Sequence, residues 1–310
     1  MIFGMFNEFG AQNSTPVFGA FQQSLDHAGI PWTKNLDMCN VAVIWSVLWH
    51  GRMAQNKRVW DHCEQKGKPI IVLEVGGILR NQSWKVAIGG INNEAYFGET
   101  STSSINNWLR SASQHRQKRF GINLKPWRDT NSNKYILICT QHNKSHQWRA
   151  MPEVDQWLEE QINQIRKHTS REIRIRPHPR SPLNPSTIRN LNFKYKNIEL
   201  QYPVRYAQTY DEFDYDTALE GAHCVISHSS NPGLQAIIAG VPAFVSKDSL
   251  AYPVANIDYS RIEHPAKPDR TRWFNNLLYT EYFLDEITAG LPLVRLLPKL
   301  EQLVLAQTNK

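Results

Sequence analysis

The sequence is poor in cysteine, and the few it has follow no chemical pattern. Its 310 residues contain four, Cys39, Cys63, Cys139 and Cys224. There is no Cys-x-x-Cys pair and no Cys/His spacing suited to zinc. Thiols scattered among apolar neighbours read as buried and reduced, which argues against a disulfide or structural-metal framework. Long apolar runs are missing as well. The longest, Val41–Trp49, has the length of a strand and falls far short of a bilayer. The segment MIFGMFNEFG lacks the basic and apolar stretches of a secretory leader. A cytoplasmic chain with no membrane partner is therefore expected. No internal repeat and no low-complexity tract is visible.

What is present is basic charge, tryptophan and a regular alternation of elements. Formal charge is +7, from 35 basic and 28 acidic residues, a balance that suits polyanionic partners. Ten tryptophans supply flat surfaces for core packing or ligand stacking. Apolar strand-like runs alternate with helix-period stretches, the pattern of parallel α/β architecture. Strands are expected at Met1–Phe6, Val41–Val47 and Pro69–Val75, with helices at Val17–His27 and Met53–Gln65. The glycine-rich stretch 76–93 reads as loop and short strands. Polar residues 129–134 (DTNSNK) make the best linker. A second series follows, with strands at Tyr135–Thr140, Glu172–Arg176, Ile198–Tyr202, Val225–Ser227 and Ala243–Ser246. Its helices are expected at Pro152–His168, Tyr215–Gly221 (capped by Asp216) and Pro232–Ala239. The chain thus divides into Rossmann-like halves, 1–130 and 131–310, facing each other across a cleft, with the last helices free to pack back on the first half.

Residues 224–246, CVISHSSNPGLQAIIAGVPAFVS, are the most informative. An apolar strand ends at Ser227 and a small polar turn enters a helix, with Asn231 as N-cap and Pro232 in the first turn. Gly233 allows close backbone approach, and Gly240 with Pro242 ends the helix. A helix start above a parallel strand is a ready phosphate site. The pattern Ser-Ser-x-x-Gly-Leu-x-Ala-x-x-x-Gly-x-Pro resembles the donor segment of GT-B glycosyltransferases, notably those that build capsular polysaccharide. That resemblance implies a nucleotide-sugar donor, a UDP-sugar first, with its diphosphate on Ser229, Ser230 and Asn231 and with Gln235 nearby. An acidic residue often stands in that family where this chain has Gln235. RPHPRSP, residues 176–182, offers guanidinium and imidazole groups at a strand end. Similar His-Pro motifs in capsule-type enzymes make Arg176, His178 and Arg180 donor candidates. The turn after Ile138 adds Gln141 and His142. DEFDYD (211–216) holds an Asp-x-Asp, but it precedes a helix, where capping explains it; a divalent metal is possible there without being required.

Sugar transfer needs a base for the acceptor hydroxyl. Glu74, at the end of an apolar strand, is the first candidate, Glu8 the second and His50 the third. Gln-Ser-Trp at 82–84 resembles a motif that follows the catalytic acid in phage DNA β-glucosyltransferases, so Gln82 and Trp84 are placed on the acceptor side. Between Arg110 and Arg128 there is no acid, and Arg110, Arg116, Lys118, Arg119, Lys125 and Arg128 form a basic stripe suited to a phosphate backbone. Arg116, Lys118 and Arg119 are the acceptor-side picks from it. The expected acceptor is accordingly a 5-hydroxymethylpyrimidine in double-stranded DNA. Two alternatives stand: a polysaccharide acceptor, and a non-catalytic nucleic-acid-binding α/β protein.

Overall fold

A computed structural model describes residues 1–98, 115–129, 135–209 and 212–308. The chain forms two compact units. Unit 1 combines Met1–Ile122 with Asn275–Lys310, and unit 2 is Asn123–Phe274.

Unit 1 holds a six-stranded sheet built from β1 (Phe3–Met5), β2 (Trp32–Thr33), β3 (Val41–Trp45), β4 (Ile70–Val75), β5 (Trp84–Ile88) and β11 (Glu281–Tyr282). Their order is β11-β5-β4-β3-β1-β2. The first four are mutually parallel, while β5 runs antiparallel to both β4 and β11. β3 is buried over all five residues, as the run VAVIW requires for a strand covered on both faces. Helix α1 (Thr15–His27) buries Val17, Phe18, Phe21 and Leu25, a helical stripe, in the core on one side of the sheet. Helix α2 (Asn56–Lys66) buries Val59, Trp60 and Cys63 on the other side. Gly67 closes it at φ +66°, with Lys68 N–H donating to Cys63 O at 2.8 Å, the left-handed cap that glycine favours.

The C-terminal return is integral to unit 1. Tyr282, Ile287, Leu293, Leu296 and Leu300 are buried in the same core as Phe3 and Trp45. Each such side chain contributes about 1.5–3 kcal/mol by leaving water, so this segment is a structural member of the unit rather than a tail.

Unit 2 is a five-stranded, wholly parallel sheet of β6 (Tyr135–Cys139), β7 (Glu172–Arg176), β8 (Ile198–Leu200), β9 (Ala222–Ser227) and β10 (Ala243–Phe244). Its order is β10-β9-β6-β7-β8. Helix α3 (Val154–Arg166) lays Val154, Trp157, Leu158, Ile162 and Ile165 on it, and helix α4 (Pro185–Lys194) adds Leu191. Two expected helix starts are displaced. Helix α5 (Tyr215–Glu220) has Asp214 rather than Asp216 as its N-cap. Helix α6 (Asn231–Ile238) has Ser230 rather than Asn231. In both the cap side chain makes no capping hydrogen bond, so backbone geometry sets the start.

Candidate active site

In unit 2 the chain leaves β6 towards β7 and β8, then returns to place β9 and β10 on the opposite side. The strand order therefore reverses between β6 and β9, the point where loops diverge and ligands bind in open parallel sheets. Two residues beyond β6 stands Gln141, and two residues beyond β9 stands Ser229. Both are buried. The Ser229 backbone N–H and Oγ both donate to Gln141 Oε1, at 3.3 and 3.1 Å. One amide oxygen thus ties the two loops together at the reversal.

Ser230 holds the N-cap position of α6, and its buried Oγ has no hydrogen-bond partner among the described residues. The first-turn N–H groups of a helix have no partner within it. Gly233 brings that turn down on β9: a Cβ there would sit 2.5 Å from Ser227 Oγ and 2.8 Å from Val245 Cγ1. Any larger residue would lift the helix start off the strand. Gln235, half-buried one turn after Asn231, lies on the same helix face.

Two imidazoles complete this edge. His142 and His178 meet edge to face with ring centroids 5.3 Å apart. His142 Nδ1 accepts from Lys144 N–H, and His178 Nδ1 accepts from Arg180 N–H, both at 3.1 Å. An acceptor nitrogen carries no proton, so each neutral ring bears its hydrogen on Nε2. The pair is thereby fixed as N–H donors, the polarity an anionic ligand needs. Thr140 Oγ1 locks the loops in register by accepting from His178 N–H at 3.0 Å. Arg180 itself is exposed.

Arg176 is a correction. It is 5% exposed, and its Nη2 donates to Asp214 Oδ1 at 2.7 Å. Asp214 also accepts from Val204 N–H at 2.7 Å. Burial works against the charged carboxyl, but the Arg176 and Val204 hydrogen bonds outweigh it and hold Asp214 below the usual carboxylate range. Arg176 is therefore braced internally through Nη2, with the DEFDYD segment supplying its partner, while its buried Nη1 has no hydrogen-bond partner among the described residues. Asp211 lies outside the described residues. Among the described residues, no group of three or more His, Cys, Asp or Glu side chains could hold a metal ion.

Sequence reasoning passed over His228, which sits in the quoted donor segment immediately before Ser229. It is 6% exposed, edge-on to Trp148 at 5.3 Å and 3.6 Å from Asp248. Burial pushes its imidazole below the ordinary value, with Asp248 and a Gln147 backbone hydrogen bond opposing. Trp148 in turn meets Trp157 of α3 edge-on, with ring centroids 5.5 Å apart.

Unit 1 has its own carboxyl edge, where β1, β3 and β4 end. Glu74 is half-buried there and accepts from Ser46 Oγ at 2.5 Å. Ser46 follows β3 at φ +62°, a left-handed conformation that costs a non-glycine residue about 1 kcal/mol or more. Such strain held at a strand end, with the hydroxyl turned on a carboxylate, is typical of functional loops. Glu8 is exposed in the turn Asn7–Phe9 after β1. His50 is exposed at the start of the turn Gly51–Gln55.

The Gln82–Trp84 expectation fails for Trp84 on register. Glu74 pairs with Lys85, and Val75 pairs with Trp84. Successive residues of a strand face opposite sides of the sheet, so Trp84 points away from Glu74. It is buried in the core with Val75 and Tyr282. Gln82 is exposed in the loop before β5.

The basic stripe also dissolves. Arg116 is 3% exposed and donates to Leu278 O and Glu286 Oε1, both at 2.8 Å, and to Glu281 O. Phe120, Tyr279 and Tyr282 surround its guanidinium at 5.0–5.2 Å. It fastens the C-terminal return to unit 1 and offers nothing to a ligand. Arg119 pairs with Asp285. Arg128 donates to the Ala239 and Leu219 carbonyls within unit 2. Lys118 and Lys125 are exposed, but they belong to different units. Arg110 lies outside the described residues.

Each unit is thus a Rossmann-like α/β layer structure with polar side chains gathered at the carboxyl ends of its strands. No family profile matches the sequence, and no curated protein matches it. Among solved structures the chain is similar to the β-Kdo 2,4 transferase of Thermosulfurimonas dismutans KpsC, with 12% identity, 98% of this chain and 97% of that chain covered, and a TM-score of 0.49. The β-Kdo 2,7 transferase of the same KpsC gives 16%, 96% and 99%, and 0.46. A Methanocaldococcus jannaschii UDP-GlcNAc 2-epimerase in complex with UDP-GlcNAc and UDP gives 13%, 96% and 98%, and 0.33. Likeness at this level concerns the path of the chain and carries nothing about chemistry. Among the described residues no helix is long and apolar enough to cross a membrane.

Proposed function

We propose that this chain is a nucleotide-sugar-dependent glycosyltransferase of the GT-B type, acting on a carbohydrate hydroxyl. The observation that carries the reading is the reversal point of unit 2. There Gln141 and Ser229 join two loops, α6 begins directly after the β9 turn, and two imidazoles are fixed as Nε2–H donors. Such an array of N–H and O–H donors stabilises the phosphate oxygens of a donor and the negative charge that grows on them as the sugar leaves. His142, His178, Ser230 and Asn231 are the residues assigned to the donor phosphates, with Ser229 and Gln141 holding the two loops together.

Glu74 is assigned as base. The acceptor oxygen forms its bond to the anomeric carbon while the bond from that carbon to the donor phosphate breaks. The acceptor proton passes to the Glu74 carboxylate, and the nucleoside phosphate departs with the bonding electrons. Ser46, donating to Glu74 Oε2, holds the carboxylate in one orientation.

A glycan takes precedence over DNA as acceptor because the cations that favoured DNA are engaged internally or divided between the units. The test is nucleotide release from a panel of UDP-, GDP- and CMP-sugars, each with oligosaccharides, plain DNA or hydroxymethylated DNA. Turnover on an oligosaccharide supports the reading. Turnover on hydroxymethylated DNA alone would replace the acceptor and keep the chemistry. Tight, salt-dependent DNA binding with no nucleotide release would make the protein a non-catalytic binder.

A further inference from the structure

The carboxyl edge of unit 1 holds a buried carboxylate that the reaction does not use. Glu281, on the two-residue strand β11, is fully buried. Its Oε1 accepts from Gly77 N–H at 2.7 Å and Ile78 N–H at 3.1 Å, and its Oε2 accepts from Ser83 Oγ at 2.7 Å. Gly77, Ile78 and Ser83 belong to the loop joining β4, which carries Glu74, to β5. The loop is drawn tightly around the carboxylate: a Cβ on Gly76 would lie 2.3 Å from Glu281 Oε2 and 2.6 Å from Ser83 O. That contact accounts for the glycine at position 76.

Register links Glu281 to Glu74 by a second route. Glu74 lies opposite Lys85, and Lys85 opposite Glu281. Directly opposed residues share a face of the sheet, so Glu74, Lys85 and Glu281 form a row across three strands. Lys85 is 2% exposed and donates to Ile91 O at 3.1 Å. Burial pulls its ammonium below the ordinary value, while Glu281, Glu74 and Glu94 oppose that pull, Glu281 most. Arg116, also charged, donates to the Glu281 main-chain carbonyl and is paired with Glu286. A lysine so deeply buried keeps its charge only through such carboxylates.

We propose that Glu281 is a positioning residue for the acceptor chemistry: its carboxylate is the template for the 76–83 loop, and through Lys85 it holds Glu74 in place. It reaches no substrate itself. This rests on the assignment of Glu74 as base, and it gives the C-terminal return a role in turnover beyond stability.

The test compares wild type, Glu281→Gln and Lys85→Met in two measurements. The first is amide exchange at Gly77 and Ile78. The second is kcat and KM with the nucleotide sugar and acceptor that turn over in the panel above. Glu281→Gln keeps the shape but turns an NH2 towards groups that donate. Its loop amides exchange at least about tenfold faster, and kcat falls about 100-fold through a displaced base, with donor KM within threefold. Lys85→Met leaves the loop amides protected and lowers kcat about tenfold. The conservative Glu281→Asp recovers part of the loss. Glu281→Gln or Lys85→Met with kcat within threefold of wild type overturns the proposal. If Glu281→Gln fails to fold, Lys85→Met decides by the same criterion. A wild type that releases no nucleotide from any sugar overturns instead the reading beneath it.

Discussion

The two carboxyl edges are built by different means. In unit 2 every residue of the candidate donor edge comes from a strand or the turn directly after it. Gln141 and His142 follow β6, His178 follows β7, and Ser229 to Asn231 follow β9. In unit 1 the edge is completed from far along the chain. Glu74 stands near the end of a strand that enters a loop hydrogen-bonded to Glu281, more than 200 positions away. A locally built edge tolerates change elsewhere, whereas a remotely completed one makes turnover hostage to how the C-terminal segment packs.

The comparison breaks most sharply at Glu74. Glu74→Gln keeps the Ser46 hydrogen bond possible but removes the base, so kcat should fall about 10²–10⁴-fold while donor KM stays within threefold. Steady-state kinetics decide it, and turnover within a fewfold of wild type removes Glu74 from the role. The next effect separates bracing from binding in unit 2. Arg176→Met strands the Asp214 carboxylate and should cost about 3 kcal/mol of stability, the low end for a buried pair, because Asp214 is partly solvated. Nucleotide affinity should move less than threefold. An unchanged denaturation midpoint with lost affinity would make Arg176 a ligand after all.

Ser229→Ala is smaller. It deletes one neutral hydrogen bond to Gln141, worth about 1 kcal/mol, so UDP should bind about fivefold more weakly by titration calorimetry. Combining it with Gln141→Ala should add much less than the sum, since the two act as one unit. The smallest effect is at His228. Its folded-state value is depressed from 6.5, so the unfolded chain binds this proton more readily. Stability from the neutral ring is fully present above 6.5 and is lost as pH falls from there through the depressed folded-state value. Melting temperatures from pH 7.5 to 5.5 should therefore decline less in His228→Gln than in wild type. Equal slopes would show that the ring titrates normally.

The same contrast governs what could be read in the sequence. The alternation of β-branched runs and amphipathic stretches was legible because burial imposes a period on each element. The donor segment was legible because strand end, turn and helix start are contiguous, so His-Ser-Ser-Asn-Pro-Gly carries its own geometry. Its cap was misplaced by one residue because the backbone, with no side-chain bond, sets that start. β11 left no signal: two residues have no period, and only pairing with β5 makes them a strand. Arg116 and Arg176 were misread for a related reason. Side-chain charge is written in the sequence, but the acid or carbonyl that consumes it comes from a segment distant in the chain. The faces of Trp84 and Lys85 needed strand register, which fixes which neighbour of a Gln-Ser-Trp-Lys run shares a side with Glu74.

The central claim is that a nucleotide sugar sits at the reversal point of unit 2, and amide exchange with saturating UDP and then UDP-sugar tests it most directly. Slowed exchange is expected at residues 141–144 and 229–233 only, with about fivefold more nucleotide needed to produce it in Ser229→Ala. Protection elsewhere, at the end of β8 or along residues 115–129, with none at those two turns, would contradict it.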